Sequence, residues 1–135
     1  MKRMWLYIIT VVIIVALGTV FVVFADDTDH TNTEFLNSFG WIVSNRAIER
    51  EKIRLPDGEN AIYREYNRLQ KEAGLDITPY YGMLAERHTY MVLNYPAPNM
   101  GEVRANVLCV NGRPIAGDIM TVPIDGFIHP LSFRP

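Results

Sequence analysis

The sequence predicts an α+β fold: about two helices packed on one face of an antiparallel sheet of about four strands, behind one N-terminal hydrophobic helix. Three observations lead there. Residues 4–25 (MWLYIITVVIIVALGTVFVVFA) carry no charge. Residues 59–73 carry apolar side chains at helical spacing, and Asn111-Gly112 joins two apolar, strand-like runs. The order is helix, strand, helix and then three strands. That disfavours a regular βαβ layout and favours helices gathered on an antiparallel sheet. Cystatin-like folds offer an analogy for such a layout.

Residues 4–25 form a helix roughly 33 Å long at about 1.5 Å per residue, enough for a bilayer core. Lys2 and Arg3 precede the run, and Asp26, Asp27 and Asp29 follow it. The positive-inside rule then puts the N-terminus in the cytoplasm and residues 26–135 outside, in a single pass. The alternative is a signal peptide cut after Ala25, giving a secreted chain. An h-region usually spans about 7–15 residues, and this one is longer. The expected divisions are 1–25 as anchor or signal segment, 26–32 as linker and 33–135 as an extracytoplasmic domain.

The linker DDTDHTN is polar. Thr31 and Glu34 have capping-box spacing for a short helix with Phe35, Leu36 and Phe39 on its apolar stripe and Gly40 at its end. Residues 41–43 begin an extended segment. Residues 47–55 read as an edge strand, with charges on both faces that discourage pairing with other chains. Pro56 and Gly58 break it, and Asp57 can cap the next helix. In that helix Ile62, Tyr66, Leu69 and Ala73 form the expected buried stripe, and Gly74 ends it. Residues 75–82 read as a loop or single turn. Residues 84–95 alternate as a strand.

Residues 103–110 and 115–122 are the arms of a hairpin whose Asn111-Gly112 turn suits type I′. Pro114 needs a bulged or non-bonded position, and Gly117 marks a bulge or a close backbone contact. Asp125-Gly126 can turn the chain again before a C-terminal extension over 127–133.

Residues 26–135 bear a net charge of −4, from 11 basic and 15 acidic side chains. With no basic patch, nucleic acid is not an expected partner. The partners expected are the membrane, through residues 4–25, and a protein at the cell envelope. Cys109 stands alone, so no internal disulfide can form.

Several fragments carry a resemblance: Phe39-Gly40-Trp41, Tyr66-Asn67 with Gln70-Lys71 and Gly74, Asn94-Tyr95-Pro96, Val103-Arg104-Ala105-Asn106, Gly117-Asp118, and Asp125-Gly126-Phe127 with His129. Over about 34–133 the chain resembles an uncharacterised domain-of-unknown-function family of small membrane-anchored or lipoprotein-like extracytoplasmic proteins of Gram-positive bacteria. The resemblance implies a tethered α+β domain and transfers no catalytic or binding residues.

No catalytic motif, phosphate loop or zinc spacing is present, so no catalytic residue, metal or cofactor is assigned. Cys109, between Leu108 and Val110, reads as a buried, inert strand cysteine. His88, His129, Asp118 and Asp125 are the one constellation that strands could assemble around a metal, but their spacing matches no ligand motif. Asp118 lies inside an apolar strand and must face water or find a partner, Arg104 on the neighbouring strand being the expected one. Tyr80 and Tyr81 read as an exposed pair suited to contact. Asp118, Asp125, His129, Tyr80 and Tyr81 are therefore the candidate ligand or partner residues. The leading functional expectation is a tethered interaction or sensing module. A small cell-envelope hydrolase built on Asp118, Asp125 and His129, and a peptidase-inhibitor-like binder with Asn111-Gly112 as its tip, are the alternatives.

Overall fold

The computed structural model describes residues 2–97, 101–123 and 126–135; side chains at 6, 10–12 and 14–26 of the first helix lie outside that description. The elements are α1 Lys2–Ser38, β1 Glu49–Arg54, α2 Ala61–Glu72, a 3₁₀ turn Thr78–Tyr80, β2 Leu84–Met91, β3 Val103–Val110, β4 Arg113–Thr121 and β5 Ile128–His129. The strands form one antiparallel sheet in the order β1-β2-β3-β4-β5. The expected α+β class and antiparallel pairing stand. A fifth strand is added by the C-terminal extension, in which Ile128 and His129 pair with Met120 and Ile119.

The first helix differs from expectation. Residues 26–32, read as a linker, are helical, and α1 runs unbroken to Ser38. Thr31 is therefore not a cap; its Oγ1 donates to the Asp27 carbonyl one turn back. The polar residues that suggested a linker are partly the ones α1 buries: Asp29 is 4% exposed and Asn32 is fully buried. Among the described residues, no helix is long and apolar enough to cross a membrane. Most side chains of the 4–25 run lie outside those residues.

The two helices lie on opposite faces of the sheet, not together on one. Side chains alternate faces along a strand. In β3, Val103, Ala105, Val107 and Cys109 join Leu36 of α1, Trp41, Tyr90, Ile119 and Leu131 in one core cluster. Leu108 and Val110 join Leu55, Ile77, Ala85, Ile115 and Ala116 in another, against which Tyr63 and Tyr66 of α2 pack.

The buried line of α2 is also rotated from the expected one. Asn67 and Gln70 are its buried residues, with Tyr63 and Tyr66 half-buried, while Ile62 is 78% exposed. Positions 63, 66, 67 and 70 form a stripe with i, i+3, i+4, i+7 spacing. The cap is Asn60, whose Oδ1 accepts from the Tyr63 amide at 2.9 Å, not Asp57. Gln70 explains the rotation. Its amide donates to the Gly117 carbonyl at 2.8 Å and accepts from the Gly117 N–H at 2.9 Å, closing the β4 edge as a neighbouring strand would.

The hairpin turn forms as expected, with φ of +51° at Asn111 and +74° at Gly112. Pro114 pairs with Cys109, and the register shifts between Leu108 and Cys109, so the ladder has an irregularity at the proline. Gly117 makes the close contact: a Cβ there would lie 2.5 Å from the Asn106 carbonyl oxygen and 2.8 Å from Leu131 Cδ1.

Candidate functional site

The α2 face of the sheet carries a row of polar side chains. Thr89, Asn106 and Asp118 are direct cross-strand neighbours on β2, β3 and β4. Thr89 Oγ1 donates to Asn106 Oδ1 at 2.7 Å, and Asn106 Nδ2 donates to Asp118 Oδ2 at 2.9 Å. Tyr66 reaches down from α2 and its hydroxyl donates to Asp118 Oδ1 at 3.2 Å. All three members of the row are at most 5% exposed.

Asp118 is thus satisfied by neutral donors. Arg104, its expected partner, instead meets Glu102 at 3.1 Å and Glu49 at 3.4 Å, because its cross-strand neighbour on β4 is Met120. Burial pushes the Asp118 carboxyl above the ordinary carboxylate range, against the hydrogen bonds from Asn106 and Tyr66 and the charge of Arg87. Burial, then the Asp118 charge, likewise pushes the Tyr66 phenol up.

A cleft of about 220 Å³ opens beside this carboxylate, between α2 and strands β1 to β4. Its lining is Ile53, Leu55, Ile62, Tyr63, Tyr66, Arg87, Leu108 and Asp118. Arg87 is tied to Glu51, its direct neighbour on β1. The result is an apolar-walled recess with a buried carboxylate and a phenol at one end, the usual composition of a small-ligand pocket.

A second hollow, of about 620 Å³, lies at the start of the docked part of α1 and is lined by Thr28, Arg50, Lys52, Glu86, His88 and Cys109 among others. Beside it Asp29 accepts from the Tyr90 hydroxyl at 2.7 Å and from Arg50 at 2.8 Å. Asn32 donates to the Tyr90 oxygen at 3.1 Å and accepts from the Cys109 thiol at 3.2 Å. These bonds dock α1 on the sheet. Cys109 is buried, and that burial pushes its thiol up to about 11, far from a thiolate at neutral pH. His88 is 3% exposed, its Nε2 lies 3.1 Å from Glu86, and its Nδ1 has no hydrogen-bond partner among the described residues. Burial pushes its pKa down, against the charge of Glu86.

The residues named from sequence separate. Asp118 faces α2. His129 pairs with Ile119 on the other face, held between Phe127 and Phe133 at ring distances of 4.4 and 3.8 Å. His88 is on that face too but on β2, across the sheet from β5. Asp125 lies outside the described residues. Among the described residues, no group of three His, Cys, Asp or Glu is placed to hold a metal. Tyr80 and Tyr81 are half-buried against the α2-side cluster, with the Tyr81 hydroxyl buried. The Asn111-Gly112 tip is exposed.

Sequence reasoning missed Tyr66, Asn106 and Thr89 as partners of Asp118, and Arg87 as part of the cleft. Tyr66 stood on the α2 stripe and could have been found there. The cross-strand neighbours depend on register, which only the Asn111-Gly112 turn could have supplied.

This architecture is a small α+β domain, built on a five-stranded meander, with a long helix leading into one face and a recess on the other. Residues 35–119, more than half of the chain, match the family described as a domain of unknown function (DUF4830). The protein belongs to that family, and the matched span contains every residue that lines the cleft. No curated protein and no solved structure matches the chain.

Proposed function

We propose that this protein is a membrane-tethered, extracytoplasmic interaction or sensing module of a Gram-positive cell, and that the cleft under α2 is its recognition site. The support for tethering comes from the sequence: residues 4–25 without charge, with basic residues before and acidic residues after. The observation that carries the reading is the continuity of α1. The helix that begins at Lys2 is the one whose Asp29, Asn32 and Leu36 are buried in the domain. A stiff, docked connection of this kind passes a change in the domain to the segment before it, which a flexible linker would not.

The test is co-purification of the full-length protein from native membranes, followed by mass spectrometry of what comes with it. One control replaces residues 4–25 with an unrelated anchor; another is Ile62→Trp, which fills the cleft mouth from an exposed position. A stoichiometric partner that survives the anchor swap and is lost with Ile62→Trp supports the reading. A partner that depends on the native anchor, or that ignores Ile62→Trp, contradicts it.

A further inference from the structure

We propose that the cleft binds an ammonium group carried on a short apolar stem, with the ammonium seated on Asp118 and the stem between Ile53, Leu55, Tyr63 and Leu108. This rests on the reading of the cleft as the recognition site. Asp118 is 5% exposed, and its two oxygens accept from Asn106 and Tyr66, both neutral. A carboxylate offers about four lone-pair sites, so capacity remains on each oxygen. Among the described residues the one cation lining the cleft is Arg87, which is committed to Glu51. Among the described residues the ionised form of this buried carboxyl is therefore countered only by an Arg87 that it shares with Glu51, and a buried charge is favourable only when paired.

The rest of the lining selects the ligand's shape. Ile53, Leu55 and Leu108 come from β1, the segment after it and β3, and Tyr63 roofs them from α2. These walls are apolar apart from the Tyr63 hydroxyl, and they remove an alkyl or aryl stem from water. A volume of about 220 Å³ holds an ion of the size of butylammonium. Two sources share this chemistry: a free alkylamine, or the lysine side chain of a peptide. Because burial holds the Asp118 carboxyl protonated to higher pH than usual, binding of the cation is coupled to release of that proton. Affinity should then rise with pH up to the point where Asp118 is ionised in the free protein.

The experiment titrates the full-length protein in detergent micelles with butylammonium, butyrate, butanol and a blocked Ala-Lys-Ala peptide, following tyrosine fluorescence and the thermal midpoint. Saturable binding of butylammonium or the peptide is expected, with butyrate and butanol at least tenfold weaker. Asp118→Asn and Ile62→Trp should each weaken it at least tenfold; the second changes an exposed side chain and keeps the test open if the first fails to fold. The tighter of the two cationic probes identifies the source. Butyrate or butanol binding as well as the amine, lost with Ile62→Trp, overturns the ammonium assignment while leaving the cleft as a site. Amine binding unchanged in both variants, or none at millimolar concentrations, overturns the proposal. Failure of the cleft itself as the recognition site would show separately, as partner capture that Ile62→Trp does not disturb.

Discussion

A carboxylate in the middle of an apolar strand must find donors or stand as a cost, and Asp118 finds neutral ones. Its native pKa lies above its unfolded value. The native state then holds a proton that the unfolded chain has already released. Stability should fall as pH rises from about 4, the unfolded value, through the native pKa. Asp118→Asn removes that slope: urea denaturation between pH 4 and 8 should show the variant losing less stability than the wild type over this interval. An identical pH profile would mean that the carboxylate is solvated. His88 works in the opposite sense. Its pKa is lowered in the fold, so the unfolded state binds the extra proton and stability is lost as pH falls below about 6.5. His88→Gln should flatten that acid limb. Gly117 sets a purely steric limit. Gly117→Ala drives a methyl into the Asn106 carbonyl and Leu131, and should cost about 1–3 kcal/mol by thermal or urea unfolding. Asp118 stood out in the sequence because its neighbours are apolar; its partner did not, because Arg104 and Asn106 are equally near in the chain and only register chooses between them.

At the scale of elements, two polar devices hold the helices in place. On one face Asp29 takes the Tyr90 hydroxyl and Arg50. Asp29→Ala strands both, and should cost about 1–3 kcal/mol for each group left unsatisfied, less for Arg50, whose side chain is 42% exposed. On the β4 edge Gln70 replaces a strand. Gln70→Ala leaves the Gly117 N–H and C=O without those partners, and the same measurement should show a loss of similar size, while Gln70→Glu restores an acceptor but no donor. The periodicity that located α2 came from its apolar residues, so the stripe through Ile62 was legible and the one through Asn67 and Gln70 was not. The misreading of 26–32 has the same cause. Asp29, Asn32 and Leu36 recur at i, i+3 and i+7, a helical pattern hidden because two of the three are polar. Polar residues that bond to buried groups are invisible to a test that counts apolar ones.

For the whole molecule, the hairpin, the class and the charged edge strand were legible, since turn chemistry and local charge determine them. The placement of the helices on both faces was less so, although β3 carried the signal. Its sequence VRANVLCV is almost entirely uncharged, and a strand covered on both sides reads as a continuous apolar run rather than an alternation. The candidate site was legible only at Asp118, because His129 and Asp118 fall on opposite faces of the sheet. What unites the molecule is α1, which contains the uncharged run 4–25 and reaches the core at Leu36. The most direct test of a tethered, outward-facing domain is protease accessibility of a C-terminal tag in intact protoplasts, together with carbonate extraction of the membranes. The prediction is a tag digested from outside on a chain that stays in the washed membrane pellet. A protected tag, or a chain released by carbonate, would contradict it.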